Sequence, residues 1–127
     1  MAMTEHVGHR LLRALNDDGR AIRGSRILLL GVAYKRNVDD TRESPAGRLL
    51  EVKGVRVSYH DPFVAEYHGR KSTPLTAEAL REYDAALVVT DHDSVNYALV
   101  GEHAPLVVDT RNVMAALGDV KARVVRA

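Results

Sequence analysis

With 127 residues, of which 46% are apolar and 28% charged, the chain has the size and composition of one globular domain with one core. Its net charge of +1 excludes the strong positive field that nucleic-acid binding requires, and the lack of cysteine excludes disulfides, thiolate metal sites and a thiol nucleophile. No apolar run approaches the roughly 20 residues of a membrane span and no secretory signal is visible, so we expect a cytoplasmic protein that contacts no membrane.

The first predicted element is a helix in residues 6–15, because apolar residues recur there on one helical face. Polar residues and Gly19 follow, and they are suited to end a helix. We expect this helix to pack on something outside the domain core. The chain is therefore divided into a leading helix, residues 1–20, and a main domain, residues 21–127.

Strands and helices are predicted to alternate through the main domain, with an exposed loop at residues 67–74. The first, third and fourth strands are nearly continuous apolar runs, typical of central parallel strands, whereas the second alternates and is expected near a sheet edge. This pattern predicts an α/β fold, namely a Rossmann-like, doubly wound, mainly parallel five-stranded sheet with helices on both faces. The predicted strands are residues 26–31, 55–59, 85–90, 106–109 and 122–125, and the predicted helices are residues 45–52, 76–83, 94–100 and 113–117.

Two candidate ligand-binding residues, Tyr34 and Lys35, follow the first strand, at the edge where open parallel sheets bind ligands. The Lys35 ammonium could meet a diphosphate as a point charge, or it could be an ordinary solvated lysine. Tyr34 could stack on a base or close the core. Ser44 and Pro45 are interpreted as a helix N-cap and first helical residue, a place where free backbone amides can also receive an anion.

A third candidate, Arg111, follows the fourth strand and is expected at the same sheet edge as Lys35. Its guanidinium could bind a phosphate or a carboxylate through two parallel hydrogen bonds. The structural alternative is a pair with Asp109 that only shapes the loop. Position in the sequence alone does not choose between the two.

The sequence predicts neither a metal site nor a standard nucleotide cradle. His92 and its two aspartate neighbours cannot all converge on one ion without unusual backbone geometry, and a His6–His9 pair is equally disfavoured. Asp61 and the proline after it are interpreted as turn formers. The glycines of a dinucleotide fingerprint are lacking after the first strand, and no phosphate-loop tripeptide, Gly-Lys-Ser or Gly-Lys-Thr, occurs.

Five motifs of this sequence occur together in one protein family, in the same order and with approximately the same spacing. They are Gly-Val-Ala-Tyr-Lys at 31–35, Asp-Asp-Thr-Arg-Glu-Ser-Pro at 39–45, Tyr-His-Asp-Pro at 59–62, Thr-Asp-His at 90–92 and Asp-Thr-Arg-Asn at 109–112. With these motifs the chain resembles the C-terminal, UDP-binding domain of the UDP-glucose/GDP-mannose dehydrogenases. Within this family, the motif sequences are most similar to those of the UDP-N-acetyl-D-mannosamine/glucosamine 6-dehydrogenases.

The resemblance implies an enzyme that oxidises the C6 alcohol of a UDP-sugar to a carboxylate in two NAD-dependent steps, through a thioester on a cysteine. Because this chain has no cysteine and no glycine-rich NAD motif, NAD and catalysis are assigned to a missing N-terminal domain, and the fragment alone is expected to be inactive. Tyr34, Lys35 and Arg111 match family positions at the UDP-sugar. The implied partners are a UDP-sugar, the remainder of the dehydrogenase and a second copy in a homodimer that forms through the leading helix. The helix at 45–52 is about one turn shorter than is usual in the family, which could lower affinity.

Two other functions fit the predicted fold. The chain could be a stand-alone regulatory or interaction module that kept the fold and lost the ligand, which the short helix and the missing catalytic half favour. A phosphoacceptor receiver domain shares the sheet architecture but is disfavoured. Its acidic pair would be Asp39 and Asp40, which stand eight residues beyond Gly31 instead of at the strand edge.

Overall fold

A computed structural model describes residues 2–31, 54–67 and 69–126. A five-stranded sheet forms its centre, and the strands of this sheet are paired in parallel throughout. The helices in the described part are α1 (Ala2–Asp17), α2 (Ala77–Glu82), α3 (Tyr97–His103) and a 3-10 helix, Met114–Leu117. The strands are β1 (Arg26–Leu30), β2 (Arg56–His60), β3 (Glu66–Tyr67), β4 (Arg70–Lys71), β5 (Ala85–Val88), β6 (Leu106–Asp109) and β7 (Arg123–Arg126).

The order of strands across the sheet is β2-β1-β5-β6-β7, so β2 is an edge strand and β1 lies beside β5. The chain moves outward from β1 to β2 and then crosses back to β5, on the other side of β1. Open α/β sheets bind ligands at such a reversal, outside the carboxyl ends of the two strands, so the expected ligand crevice lies between β1 and β5. The predicted doubly wound parallel sheet, its five strands and the edge position of the second strand are confirmed.

Helices cover both faces of the sheet, as predicted, because successive side chains of each strand point to opposite faces. On β1, Ile27 packs in the cluster that contains α1, whereas Leu28 packs in the cluster that contains Leu80 of α2 and Val100 of α3. All four side chains are fully buried. Burial of each such side chain stabilises the fold by about 1.5 to 3 kcal/mol, so these two layers hold the strand ends in place.

Helix α1 is part of the core, and the expectation that it packs outside the domain is wrong. Leu11 and Leu15 are fully buried in the same cluster as residues of β1. Arg123 of β7 pairs with Asp18, just beyond the helix, at 3.3 Å. The apolar face of α1 covers a sheet face that would otherwise be exposed to water, which explains why it packs here. The domain boundary placed after residue 20 remains a prediction.

The segment 67–74, predicted as an exposed loop, takes part in a small antiparallel hairpin of β3 and β4. Tyr59 of the edge strand packs edge-on against Tyr67 of this hairpin, with 5.9 Å between the ring centroids. Its buried hydroxyl donates a hydrogen bond at 2.9 Å to the carbonyl of Val64, just before β3. Burial raises the pKa of Tyr59 above its ordinary value, and the nearby carboxylates of Asp61 and Glu66 add to the rise. The hydroxyl therefore stays protonated and keeps its role as a donor.

Side-chain caps set where the short helices begin. The Thr76 hydroxyl accepts the backbone N–H of Ala79 at 3.1 Å and begins α2 as predicted. The Asn96 side chain accepts the N–H of Leu99 at 3.1 Å, so α3 begins later than predicted. The helix predicted at 45–52, with its expected shortening, lies outside the described residues. None of the helices in the described ranges combines the length and apolar character needed to cross a membrane.

Gly31 follows β1 in a conformation that glycine adopts at low cost, with a φ of +90°. A Cβ atom at this position would lie 2.6 Å from the Cβ of Thr90. We expect Gly31→Ala to lower the free energy of unfolding by about 2 to 4 kcal/mol, because it adds left-handed strain and a steric overlap. Equilibrium unfolding in denaturant measures this change.

Gly19→Ala is the matched control for this substitution. Gly19 has a φ of +75°, and a Cβ atom there would meet nothing within 4 Å. The control should therefore cost only the backbone strain, about 1 to 2 kcal/mol. If both variants lost the same free energy of unfolding, the close approach between Gly31 and Thr90 would not contribute to the effect of Gly31→Ala.

Candidate functional site

The carboxyl ends of the central strands are level with one another. Leu30 at the end of β1 is paired with His60 of β2 and with Val88 of β5, and Val88 is paired with Asp109 of β6. Because these strands are parallel, the residues that follow them meet at one edge of the sheet. Arg111 lies at this edge, as predicted from its place after the fourth strand.

Asp109 shapes the loop that carries Arg111. Its buried carboxylate accepts the backbone N–H of Arg111 at 3.0 Å and that of Met114 at 2.9 Å. Asn112 follows with a φ of 60°, a left-handed conformation that asparagine tolerates better than most residues do. The chain's own hydrogen bonds therefore fix the backbone of this loop before a ligand arrives.

The side chain of Arg111 reaches from β6 to the end of β5. Its Nε donates to the carbonyl of Val89 at 3.2 Å, and the N–H of Val89 donates to the carbonyl of Leu30 at 3.0 Å. The guanidinium is thus one peptide unit away from the end of β1, beside the crevice between β1 and β5. Asp109 therefore accepts a hydrogen bond from the backbone N–H of Arg111, whereas the Arg111 guanidinium donates to the Val89 carbonyl.

The two terminal nitrogens of Arg111 have no partner among residues 2–31, 54–67 and 69–126, and the residue is exposed. A guanidinium carries five N–H donors, so the bond from Nε leaves four of them in a planar fork. This fork matches the oxygen atoms of a phosphate or a carboxylate, which accept two parallel hydrogen bonds from it. The exposed fork of Arg111 therefore has the geometry to bind an anion.

The other two predicted ligand-binding residues, Tyr34 and Lys35, lie outside the described residues. The same is true of Ser44 and Pro45. Arg111 is thus the one predicted contact whose position can be stated. The roles of Tyr34 and Lys35, and the expectation that Lys35 shares a cleft with Arg111, remain predictions.

A buried pair at the same sheet edge was not predicted. The carboxylate of Asp61, one residue past β2, lies 3.0 Å from Nε2 of His92, in the segment after β5, and both side chains are fully buried. Asp61 also accepts the backbone N–H of Phe63 at 2.8 Å, which confirms it as a turn former. The sequence did hold a signal for the pair, since both residues come shortly after strands that end at one edge.

His92 is also the central residue of the tripeptide that was considered as a metal site. In the described part of the chain, no three side chains of the types that bind metals come together. His92 instead faces Asp61, and its ring packs on that of Phe63 with 4.8 Å between the ring centroids. His92 therefore contributes to the packing of the sheet edge.

A groove of about 510 Å³ runs along the open edge of β2 and is not part of the crevice between β1 and β5. Arg70 of the hairpin lines it and donates from Nη1 to the Val57 carbonyl at 2.9 Å. The N–H of Thr73 donates to the Tyr59 carbonyl at 2.7 Å. These bonds occupy carbonyls of the edge strand that face outward, which protects the edge from pairing with another chain.

Residues 28–116 match the protein family described as "UDP-glucose/GDP-mannose dehydrogenase family, UDP binding domain". The UDP-glucose 6-dehydrogenase of Rhizobium meliloti (strain 1021) is 32% identical over 123 residues, which cover 84% of this chain and 27% of that protein. The UDP-N-acetyl-D-mannosamine dehydrogenase of Methanococcus maripaludis is 31% identical over 123 residues, which cover 88% of this chain and 28% of that protein. The chain thus spans less than a third of the length of these relatives.

Solved structures show the same likeness. The crystal structure of NDP-N-acetyl-D-galactosaminuronic acid dehydrogenase from Methanosarcina mazei Go1 aligns with a TM-score of 0.78 and 27% identity, over 98% of this chain and 28% of that one. The UDP-D-ManNAc dehydrogenase of Pyrococcus horikoshii aligns with a TM-score of 0.71 and 28% identity, over 96% of this chain and 30% of that one. These matches fall on the same family that the five sequence motifs resemble.

Proposed function

The chain belongs to the UDP-glucose/GDP-mannose dehydrogenase family as its UDP-binding domain, and from this premise we propose that it binds the UDP part of a nucleotide sugar through Tyr34, Lys35 and Arg111. In this proposal Arg111 forms two parallel hydrogen bonds to phosphate oxygens. Lys35 adds a point charge at the same diphosphate, and Tyr34 packs against the uridine.

The position of Arg111 is the observation that carries the proposal. Its loop is fixed by Asp109, its Nε is held by Val89, and its remaining donors are exposed beside the crevice between β1 and β5. Lys35 follows Gly31 by four residues, a separation of at most about 14 Å in a fully extended chain. A lysine side chain at that distance can extend to the same crevice.

We assign the chemistry to a larger protein of which this chain is one domain. That protein would oxidise the C6 alcohol of a UDP-sugar to a carboxylate with NAD, and this chain alone would be inactive because it lacks a cysteine nucleophile. The residues after β1 do not fit NAD, since Ala33 and Arg36 stand where a dinucleotide cradle that starts at Gly31 needs its second and third glycines. The NAD site therefore belongs to another domain.

The contribution of this chain to such an enzyme would be binding energy. Contacts to the UDP part, remote from the reacting carbon, can hold the sugar in a reactive position. The expected partners are the rest of the dehydrogenase and a second copy in a homodimer, and the expected location is the cytoplasm. The UDP part is common to several sugars, so the contacts proposed for Arg111 and Lys35 serve any UDP-sugar.

A thermal unfolding experiment with UDP tests the proposal. A ligand that binds only the folded state stabilises it by about 2.7 kcal/mol at a concentration 100 times its dissociation constant, which corresponds to a rise of about 10 °C in the unfolding midpoint of a domain of this size. Uridine, which lacks the phosphates, is the matched control and should have a much smaller effect. No rise at millimolar UDP would contradict the proposal and favour a stand-alone interaction module.

A further inference from the structure

Two titratable side chains are fully buried at the carboxyl edge of the sheet, and neither has a role in the proposed binding of UDP. Nε2 of His92 and Oδ2 of Asp61 are 3.0 Å apart, and both side chains are 0% exposed. His92 lies beyond β5 and Asp61 lies beyond β2, while β1 runs between these two strands. Their contact therefore spans the end of β1, where the chain leaves the sheet toward Lys35.

Stability alone is a weak reason for such a pair. Moving charged groups out of water costs several kcal/mol per ion, and apolar residues of similar volume often stabilise a fold as well or better. A buried polar pair with its hydrogen bonds satisfied can instead select one arrangement of the elements that it joins. Asp61 is well anchored for this purpose, since it accepts the N–H of Phe63 at 2.8 Å and donates its own N–H to the Ser72 hydroxyl at 2.9 Å.

His92 of the buried pair lies close in sequence to Val89, whose carbonyl accepts a hydrogen bond from Arg111. His92 follows Val89 by three residues, and the segment between them is fastened at Thr90, whose N–H donates to the Leu30 carbonyl at 3.2 Å. The Val89 carbonyl in turn accepts Nε of Arg111 at 3.2 Å. A short path of covalent and hydrogen bonds therefore joins the buried pair to the guanidinium.

We propose that Asp61 and His92 are positioning residues of the UDP site. Their contact holds the segment after β5 against the end of β2. It thereby sets the place of the Val89 carbonyl and, through it, the place of the Arg111 guanidinium. This inference rests on the proposed function, because the position of Arg111 matters only if Arg111 binds the diphosphate.

Titration calorimetry with UDP tests the inference, at a temperature where circular dichroism shows every variant to be folded. His92→Asn shortens the side chain, so its amide no longer reaches Asp61, and UDP binding should weaken about tenfold. His92→Gln is the conservative control, because its amide nitrogen extends about as far as Nε2 of histidine. Its affinity for UDP should stay within about threefold of that of the parent.

The decisive comparison introduces Arg111→Ala in two backgrounds. In the parent it should weaken UDP binding at least about tenfold, but in His92→Asn, where Arg111 is already displaced, by less than about threefold. Equal losses in the two backgrounds would overturn the positioning role and leave the proposed function intact. No loss in the parent would count against both. If His92→Asn does not fold, Asp61→Ser supplies the same comparison, because a serine hydroxyl can still accept the Phe63 N–H but does not reach His92.

Discussion

Replacing Leu15 with aspartate is expected to abolish cooperative folding. Leu15 is fully buried in the core cluster that α1 shares with β1, so a carboxylate at this position would have no water around it. The loss of apolar burial and the cost of a buried charge together exceed about 4 kcal/mol, which is a large part of the 5 to 15 kcal/mol that stabilises an ordinary domain. Near-ultraviolet circular dichroism and denaturant unfolding would report the loss.

Arg13→Asp is the matched control, because Arg13 is an exposed residue of the same helix. It places the same new carboxylate two positions away and should change the free energy of unfolding by no more than about 0.5 kcal/mol. This comparison tests whether α1 belongs to the core. Similar unfolding curves for Leu15→Asp and Arg13→Asp would contradict the packing of α1 on the sheet.

Removing the guanidinium with Arg111→Ala is expected to weaken UDP binding by roughly 10- to 150-fold. Hydrogen bonds that involve charged groups contribute about 1.5 to 3 kcal/mol, and every 1.4 kcal/mol is a factor of ten in affinity. Arg111→Lys should cause a smaller loss, because lysine keeps the charge but lacks the planar fork. Titration calorimetry with UDP measures both variants.

Arg126→Ala is the control for nonspecific effects of charge. Arg126 is an exposed arginine at the carboxyl end of β7, the strand next to β6, so its removal changes the net charge by the same amount at the same sheet edge. It should leave the affinity for UDP within about twofold, since interactions between exposed charges are strongly screened by salt. A loss as large as that of Arg111→Ala would show that general charge, and not the fork of Arg111, attracts the ligand.

The central sheet could be predicted because its strands have a strong local signal. The runs that became β1, β5 and β6 are apolar along their whole length, which is the pattern of strands covered on both faces. The alternation around β2 likewise placed that strand at an edge. For these elements, the local sequence and the global fold favour the same answer.

The packing of α1 could not be predicted in the same way. An apolar helical face such as that of Leu11 and Leu15 indicates that something covers it, but not what does. The hairpin of β3 and β4 was missed for a related reason, since two-residue strands are too short to show a period. Tertiary contacts, such as the hydrogen bond from Nη1 of Arg70 in β4 to the Val57 carbonyl of β2, hold the hairpin in place.

The sequence could predict which residues of the candidate site follow the end of a strand, but not which residues they contact on other strands. Arg111 could be placed at the carboxyl edge because it follows a strand, but its contact with Val89 depends on which strand lies beside β6. The pair of Asp61 and His92 likewise depends on the order of three strands, and the sequence does not state that order. The candidate residues could therefore be identified from single motifs, but their contact partners depend on the order of the strands in the sheet.

If Arg111 and Lys35 hold one diphosphate between them at the crevice of β1 and β5, UDP binding should depend on both cations. Calorimetric titration of UDP and of uridine into the parent, Lys35→Ala and Arg111→Ala measures this dependence. We expect each substitution to lower the ratio of UDP affinity to uridine affinity at least about tenfold, because only UDP carries the phosphates that these cations would bind. If either variant kept the parent's affinity for UDP, the claim that both cations bind the diphosphate would be contradicted.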